Sequence, residues 1–102
     1  MNKLSFFFRQ QQVYEMSLKA LQRRKFAIIE ADEKNGVIRA KTRGNMLKPG
    51  VKIELHIAEV NERQTSLNIE SKMRKTWLRP EGYDAFIEDK FIRTLYNCFD
   101  TV

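Results

Sequence analysis

The sequence has little of the chemistry that small proteins use to build metal sites or disulfides. It contains one cysteine, Cys98, and one histidine, His56, among 102 residues. A single cysteine rules out an internal disulfide and favours a reducing compartment. One cysteine and one histidine are too few for a zinc pattern. We therefore predict a cytoplasmic protein with no metal and no cofactor.

Long apolar runs are also missing. The first apolar run ends at Arg9, so it is shorter than the about 7–15 residues of a signal-peptide core. No window approaches the about 20 apolar residues of a membrane span. The four glycines lie at turns or at a helix start, which leaves no glycine-rich phosphate loop. The sequence predicts no membrane span.

Length and charge set the remaining limits. A chain of 102 residues fits one domain, residues 1–102. The net charge is +6 and the isoelectric point is about 9.7. Such a charge attracts anions in general but does not identify a partner.

The hydrophobic pattern predicts the class of fold. Helical periodicity covers 9–24 and 83–99, and alternation or short apolar runs cover 4–8, 26–31, 37–43, 51–60 and 65–71. The predicted order is β-α-β-β-β-β-α. We expect an α+β fold with an antiparallel sheet of four to five strands and two helices packed on one face.

The pair Asn35-Gly36 predicts a two-residue turn between the second and third strands. That register sets Asp32 against Arg39 and Glu30 against Lys41, two favourable charge pairs. The residues expected under the helices are Ala27, Ile29, Ala31, Ile38 and Ala40. The residues expected on the open face form a candidate interaction patch: Phe26, Ile28, Val37, Arg39, Lys41 and Arg43.

The second hairpin allows two registers that bury the same apolar side chains. A three-residue loop would place Glu54 opposite Glu70, which is unfavourable. A five-residue loop, 61–65, instead pairs Glu54 with Lys72 and His56 with Glu70. We predict the five-residue loop, with His56 as a surface residue of the sheet.

The stretch SKMRKTWLR is the strongest polar cluster. Basic side chains that surround an aromatic ring can hold phosphates while the ring stacks on a base. The candidate anion-binding residues are Lys52, Lys72, Arg74, Lys75, Trp77 and Arg79. The alternative, which the sequence favours, is that Trp77 packs into the core and the cations are solvated. No known nucleic-acid-binding signature accompanies the cluster.

Nothing in the chain indicates catalysis. Cys98 lies on the apolar side of the last helix, where packing is its expected role. Glu88 falls within the same apolar arc. Either it is exposed at the helix start, or it is buried and marks a pocket. We predict a protein that is not an enzyme, with no catalytic residues.

The pattern as a whole resembles small bacterial α+β domains of unknown function. The matching stretches are Asp32, Gly36-Val37-Ile38-Arg39-Ala40 and Ser71-Lys72. The resemblance covers nearly the whole chain and implies the fold and a bacterial origin. It supplies no activity.

Three functions remain open. The first is a non-catalytic binding or interaction module that self-associates into a homo-oligomer through the outer face of the sheet. The second is single-stranded nucleic-acid binding through a basic sheet face and the linker Lys72–Arg79. The third is a carrier for a small apolar ligand, held between the sheet and the last helix.

Overall fold

The computed structural model describes residues 2–43, 50–73 and 82–100. It confirms the α+β class and the predicted order of elements. The elements are β1 (Asn2–Phe6), α1 (Gln10–Arg23), β2 (Ala27–Asp32), β3 (Val37–Lys41), β4 (Val51–Asn61), β5 (Gln64–Met73) and α2 (Tyr83–Asp100). Neither helix is long and apolar enough to cross a membrane within these ranges.

The five strands form one antiparallel sheet in the order β1-β5-β4-β3-β2. Strands β2 to β5 follow one another as neighbours, and β1 closes the sheet beside β5. The strand order was not predictable from the two hairpins alone. The longest strands, β4 and β5, therefore lie inside the sheet, and β1 and β2 are its edges.

Both helices pack on one face of the sheet, which we call the inner face. Alternate residues of β4 and β5 are buried there, as their period of two predicts. The core that they form with the helices comprises Val13, Ala20, Leu21, Ile38, Ala40, Ile53, Leu55, Ile57, Leu67, Ile69, Phe91, Leu95 and Cys98. The prediction that Cys98 packs in the core is confirmed. The opposite, outer face of the sheet carries the polar side chains.

The end of α1 decides the position of Phe26. Lys25 adopts a left-handed conformation, φ +60°. The amide of Lys25 donates to the carbonyl of Gln22, and the amide of Phe26 donates to that of Leu21. This pair of hydrogen bonds is the Schellman motif, in which the residue after the left-handed position packs back against the helix. Phe26 is accordingly 8% exposed and belongs to the core.

The first hairpin has a four-residue turn, 33–36, so the predicted two-residue turn was wrong. A type I′ turn needs a positive φ at both central residues, but only Gly36 has one, +67°. Asp32 stabilises the alternative because its carboxylate accepts hydrogen bonds from the amide of Asn35 (3.1 Å) and from its side chain (2.7 Å). These bonds lower the pKa of Asp32.

The longer turn and a β-bulge change every facing pair of β2. Asp32 lies opposite Val37, Glu30 opposite Arg39, and Ala27 opposite Lys41. The register shifts at Ile29, between Ile28 and Glu30. Both predicted charge pairs were therefore wrong, and so was the inward orientation of Ala27 and Ile29. The inward orientation of Ile38 and Ala40 is confirmed.

The second hairpin uses the register that the sequence disfavoured. Glu54 lies opposite Glu70, and His56 lies opposite Asn68. The reason is a contact with a third strand. Arg39 of β3 lies opposite Glu54, on the side of β4 that faces away from β5. A cation from β3 offsets the repulsion that hairpin pairing alone would produce, so the predicted five-residue loop was wrong.

A row of lysines on the outer face of the sheet

The outer face presents three lysines in one line across three strands. Lys41 of β3 lies opposite Lys52 of β4, and Lys52 lies opposite Lys72 of β5. We call these residues the lysine row. Neighbouring strands are about 4.8 Å apart, so the row concentrates three positive charges within about 10 Å. All three side chains are exposed. None of them forms an ion pair with a residue that the structure describes.

Like charges directly opposite each other destabilise a sheet. Lys52 is repelled from both sides, because a lysine lies opposite it on each neighbouring strand. Folding alone would favour a neutral or acidic residue at this position. The lysine row is therefore a place where the fold carries concentrated positive charge that the described residues do not neutralise.

The next row of the outer face is neutralised internally. Arg39 donates to the carboxylates of Glu30 and Glu54, the latter at 3.2 Å between Nε and Oε2. The other oxygen of Glu54 is 2.6 Å from Nε2 of His56. The prediction of a surface histidine beside a carboxylate holds, but the carboxylate is Glu54 rather than Glu70. Arg39 is thus engaged, whereas the lysine row is open.

The groups around Glu54 lower the pKa of its carboxyl group. Partial burial raises the pKa of Glu54, but hydrogen bonds from His56 and Arg39 and their positive charges outweigh it. The net result is a pKa below the ordinary value of 4.5. The same contacts raise the pKa of Arg39.

We expect this network to make stability fall at acid pH. Because the pKa of Glu54 is lower in the folded than in the unfolded chain, its stabilisation is complete above pH 4.5 and is lost as pH falls through the folded pKa. Urea unfolding at several pH values between neutral and acid measures how steeply the free energy of unfolding falls with pH. Glu54→Gln should make this pH dependence weaker, with Glu62→Gln in the exposed β4–β5 turn as the matched control. An unchanged pH dependence in Glu54→Gln would contradict this assignment.

A shallow cleft lies beside these rows on the outer face, with a volume of about 310 Å³. It is lined by Ile29, Arg39, Ala40, Lys52, Ile53, Glu54, Glu70 and Lys72. The bulge on β2 supplies one wall, because it places Ile29 on this side with 53% of its surface exposed. The cleft brings two members of the lysine row together with an apolar side chain.

The structure separates the predicted interaction patch. Val37, Arg39 and Lys41 lie on the outer face, and Arg43 is exposed beyond the end of β3. Phe26 is in the core, and Ile28 pairs with the inward-facing Ala40. The predicted outward orientation of Phe26 and Ile28 was therefore wrong, whereas that of Val37 is confirmed.

The predicted anion-binding set is brought together in part. Lys52 and Lys72 are direct neighbours, whereas Arg74, Lys75, Trp77 and Arg79 lie outside the described residues. The sequence missed Lys41 as a member, because the assumed turn had paired it with Glu30. The row becomes visible only with the registers of the β3–β4 and β4–β5 ladders together.

Among the described residues, the inner face holds one buried carboxylate. Glu88 of α2 is 3% exposed, and Ser71 of β5 donates a hydrogen bond to it. Of the two alternatives for Glu88, burial is confirmed. The hydrogen bond to Ser71 ties α2 to the strand that carries Lys72. The apolar-ligand carrier stays a prediction.

Comparisons with known proteins show the fold. No family model matches the chain, and a search of curated proteins finds no match either. Among solved structures, a similar chain comes from the adenylate sensor of AMP-activated protein kinase, in complex with 5-aminoimidazole-4-carboxamide 1-β-D-ribofuranotide. The TM-score is 0.71 at 15% identity, over 91% of this chain and 94% of that chain. The two chains thus share one architecture along nearly their whole lengths. The resemblance to bacterial domains stays a prediction.

Proposed function

We propose that this protein is a non-catalytic binding module that holds single-stranded nucleic acid by its phosphates on the outer face of the sheet. The observation that carries the proposal is the lysine row. Three lysines lie opposite one another on adjacent strands without an ion pair to a described residue. An anionic ligand would turn this unfavourable arrangement into a favourable one.

The shape of the surface suits an extended phosphate chain. The row spans β3, β4 and β5 on an open face, so a strand of nucleic acid can lie across it. The net charge of +6 favours the encounter. The cleft next to the row offers Ile29 as an apolar contact for a base. The basic linker that contains Trp77 follows β5 directly in sequence, which supports the same ligand class.

The solved neighbour is consistent with ligand binding in general. That neighbour is part of an adenylate sensor in complex with a ribonucleotide. At 15% identity the likeness concerns the fold, so the ligand proposed for this chain rests on the lysine row. Self-association through an apolar outer face loses support, because Phe26 is buried.

Fluorescence anisotropy with a labelled single-stranded oligonucleotide of about 16 nucleotides tests the proposal. We expect binding to weaken as salt rises from about 50 to 200 mM, with a slope of log affinity against log salt of about −2 for three phosphate contacts. Lys52→Gln should reduce the magnitude of the slope by about 0.7, and replacement of the whole lysine row should abolish it. Lys19→Gln, on the exposed side of α1, changes the net charge equally and should leave the slope unchanged.

The same variant separates binding from folding. Lys52→Gln removes the one charge that faces a like charge on each side, so we expect it to raise the free energy of unfolding by about 0.2–1 kcal/mol at low salt. Weaker binding in a more stable protein cannot result from unfolding. A flat titration, an equal loss in Lys19→Gln or cleavage of the oligonucleotide would contradict the proposal. Binding to vesicles with anionic lipid but not to oligonucleotide would reassign the surface to membranes.

A further inference from the structure

Strand β2 is an edge of the sheet with both of its faces largely uncovered. It pairs with β3, and no described strand pairs with its other side. Every residue from Ala27 to Ala31 is exposed. Ile28 and Ile29 expose 36% and 53% of their surfaces. An edge of this kind offers backbone donors and acceptors together with apolar side chains to another strand.

The opposite edge of the sheet is different. On β1 the inner side is covered, because the ring of Phe6 stacks on Phe99 and tilts against Tyr96. The charges that flank β1 are all basic, with Lys3 near its start and Arg9 after its end. Two antiparallel copies of β1 would bring like charges together, which disfavours their pairing.

The charges around β2 are arranged in the opposite way. The end of α1, which Phe26 separates from the strand, carries three basic residues, Arg23, Arg24 and Lys25. Three acidic residues, Glu30, Asp32 and Glu33, lie in the second half of the strand and just after it, and Lys34 follows them. In an antiparallel pair of identical strands, the start of each strand meets the end of the other. Each basic end would then lie beside an acidic end.

The bulge makes one register consistent with the faces of the strand. Residues that face each other across a ladder must lie on the same face of the sheet. Because Ile29 is the extra residue of the bulge, a register centred on Ile28 sets Ala27 against Glu30, both on the outer face. Beyond the paired residues, this register brings the basic end of α1, Arg24 and Lys25, near Asp32 and Glu33 of the other copy.

We propose that two copies of this chain pair antiparallel along β2 and form one continuous ten-stranded sheet. The exposed isoleucines meet at the centre, and the opposite charges meet at both ends. This interface is the edge of the sheet and not its outer face, so it leaves the lysine row free. It does not depend on the proposed nucleic-acid binding.

The symmetry of such a dimer has a consequence for the lysine row. The two-fold axis that relates antiparallel neighbours is perpendicular to the sheet, so both outer faces lie on the same side. Two lysine rows would therefore face one ligand, and a ligand long enough to span them would gain from bivalency.

Sedimentation velocity over a concentration series tests the dimer. A single pair of short strands makes a small interface, so we expect a dissociation constant of about 10–100 μM. Glu33→Lys should raise this constant about tenfold, since the contact occurs twice by symmetry. The double variant Arg24→Glu/Glu33→Lys exchanges the two charges, keeps the net charge at +6, and should restore the wild-type constant. Glu62→Lys, in the β4–β5 turn, is the control with the same change in net charge.

Hydrogen exchange locates the interface independently of the variants. The amides of β2 should become more protected as concentration rises, whereas those of β1 should not. A protein that stays monomeric at about 300 μM, or a double variant that is not restored, would overturn the proposal. Protection confined to β1 would do so as well.

Discussion

Gly36→Ala is expected to lower the free energy of unfolding by about 3–5 kcal/mol, an effect of a size seen only with severe defects. A Cβ atom at this position would lie 2.1 Å from the carbonyl oxygen of Ile57 and 2.7 Å from Nε2 of Gln10. Both atoms belong to contacts that join three elements. The amide of Ile57 donates to Gly36 at 2.7 Å, and Gln10 donates to the carbonyl of Ile57 at 2.9 Å. The overlap is with backbone, so β4 itself must move.

The matched control is the second glycine with a positive φ. Gly82, at φ +76°, has no atom within 4 Å of its would-be Cβ. Gly82→Ala should therefore cost only the conformational penalty of about 1 kcal/mol. Thermal unfolding of the two variants measures both losses of stability. We expect the melting temperature of Gly36→Ala to lie more than about 12 °C below that of the wild type. Equal effects of the two variants would show that the close approach at Gly36 is unimportant.

The second large effect is expected at Phe6. Its ring is 5% exposed and lies 4.9 Å from the ring of Phe99 and 5.7 Å from that of Tyr96. Phe6→Ala removes the contact between the edge strand β1 and α2, and should cost about 3–5 kcal/mol. Urea unfolding gives this value directly, and the amides of β1 should exchange faster in the variant.

The next residue in the chain supplies the control. Phe7 lies just beyond the end of β1 and is 82% exposed. Phe7→Ala should therefore change stability by less than about 0.5 kcal/mol. The two variants remove the same side chain one position apart, so the difference between them isolates burial. Similar losses of stability in both variants would mean that the difference in burial between Phe6 and Phe7 is not as the structure has it.

The errors in the sequence interpretation share a physical origin. Asn35-Gly36 is a strong local signal for a two-residue turn, but Asp32 accepts two hydrogen bonds from Asn35, and the carbonyl of Gly36 accepts one from β4. Glu54 and Glu70 repel within their hairpin, but Arg39 of a third strand offsets this. In the first hairpin a local hydrogen-bonded turn acts together with a contact from β4, and in the second hairpin a residue of a third strand outweighs the local preference.

The candidate site shows the same limit. Its residue types were visible in the sequence, since Lys52 and Lys72 were both predicted as anion-binding residues, although Lys72 was expected to face Glu54. Their alignment with Lys41 was not visible, because it depends on the registers of two ladders at once. The apolar patch failed because a Schellman motif at the end of α1 turns Phe26 inward, and no glycine marks that motif in the sequence.

By itself, the sequence determined the helices, the strands and the buried side of β4 and β5. These follow from periods of 3.6 and two residues, which are properties of a short stretch of chain. The tertiary structure alone decided the strand order, the registers and the rows of charge on the outer face. Such features arise from hydrogen bonds and electrostatic contacts between strands, whose energies depend on all neighbours of a strand and not on one hairpin.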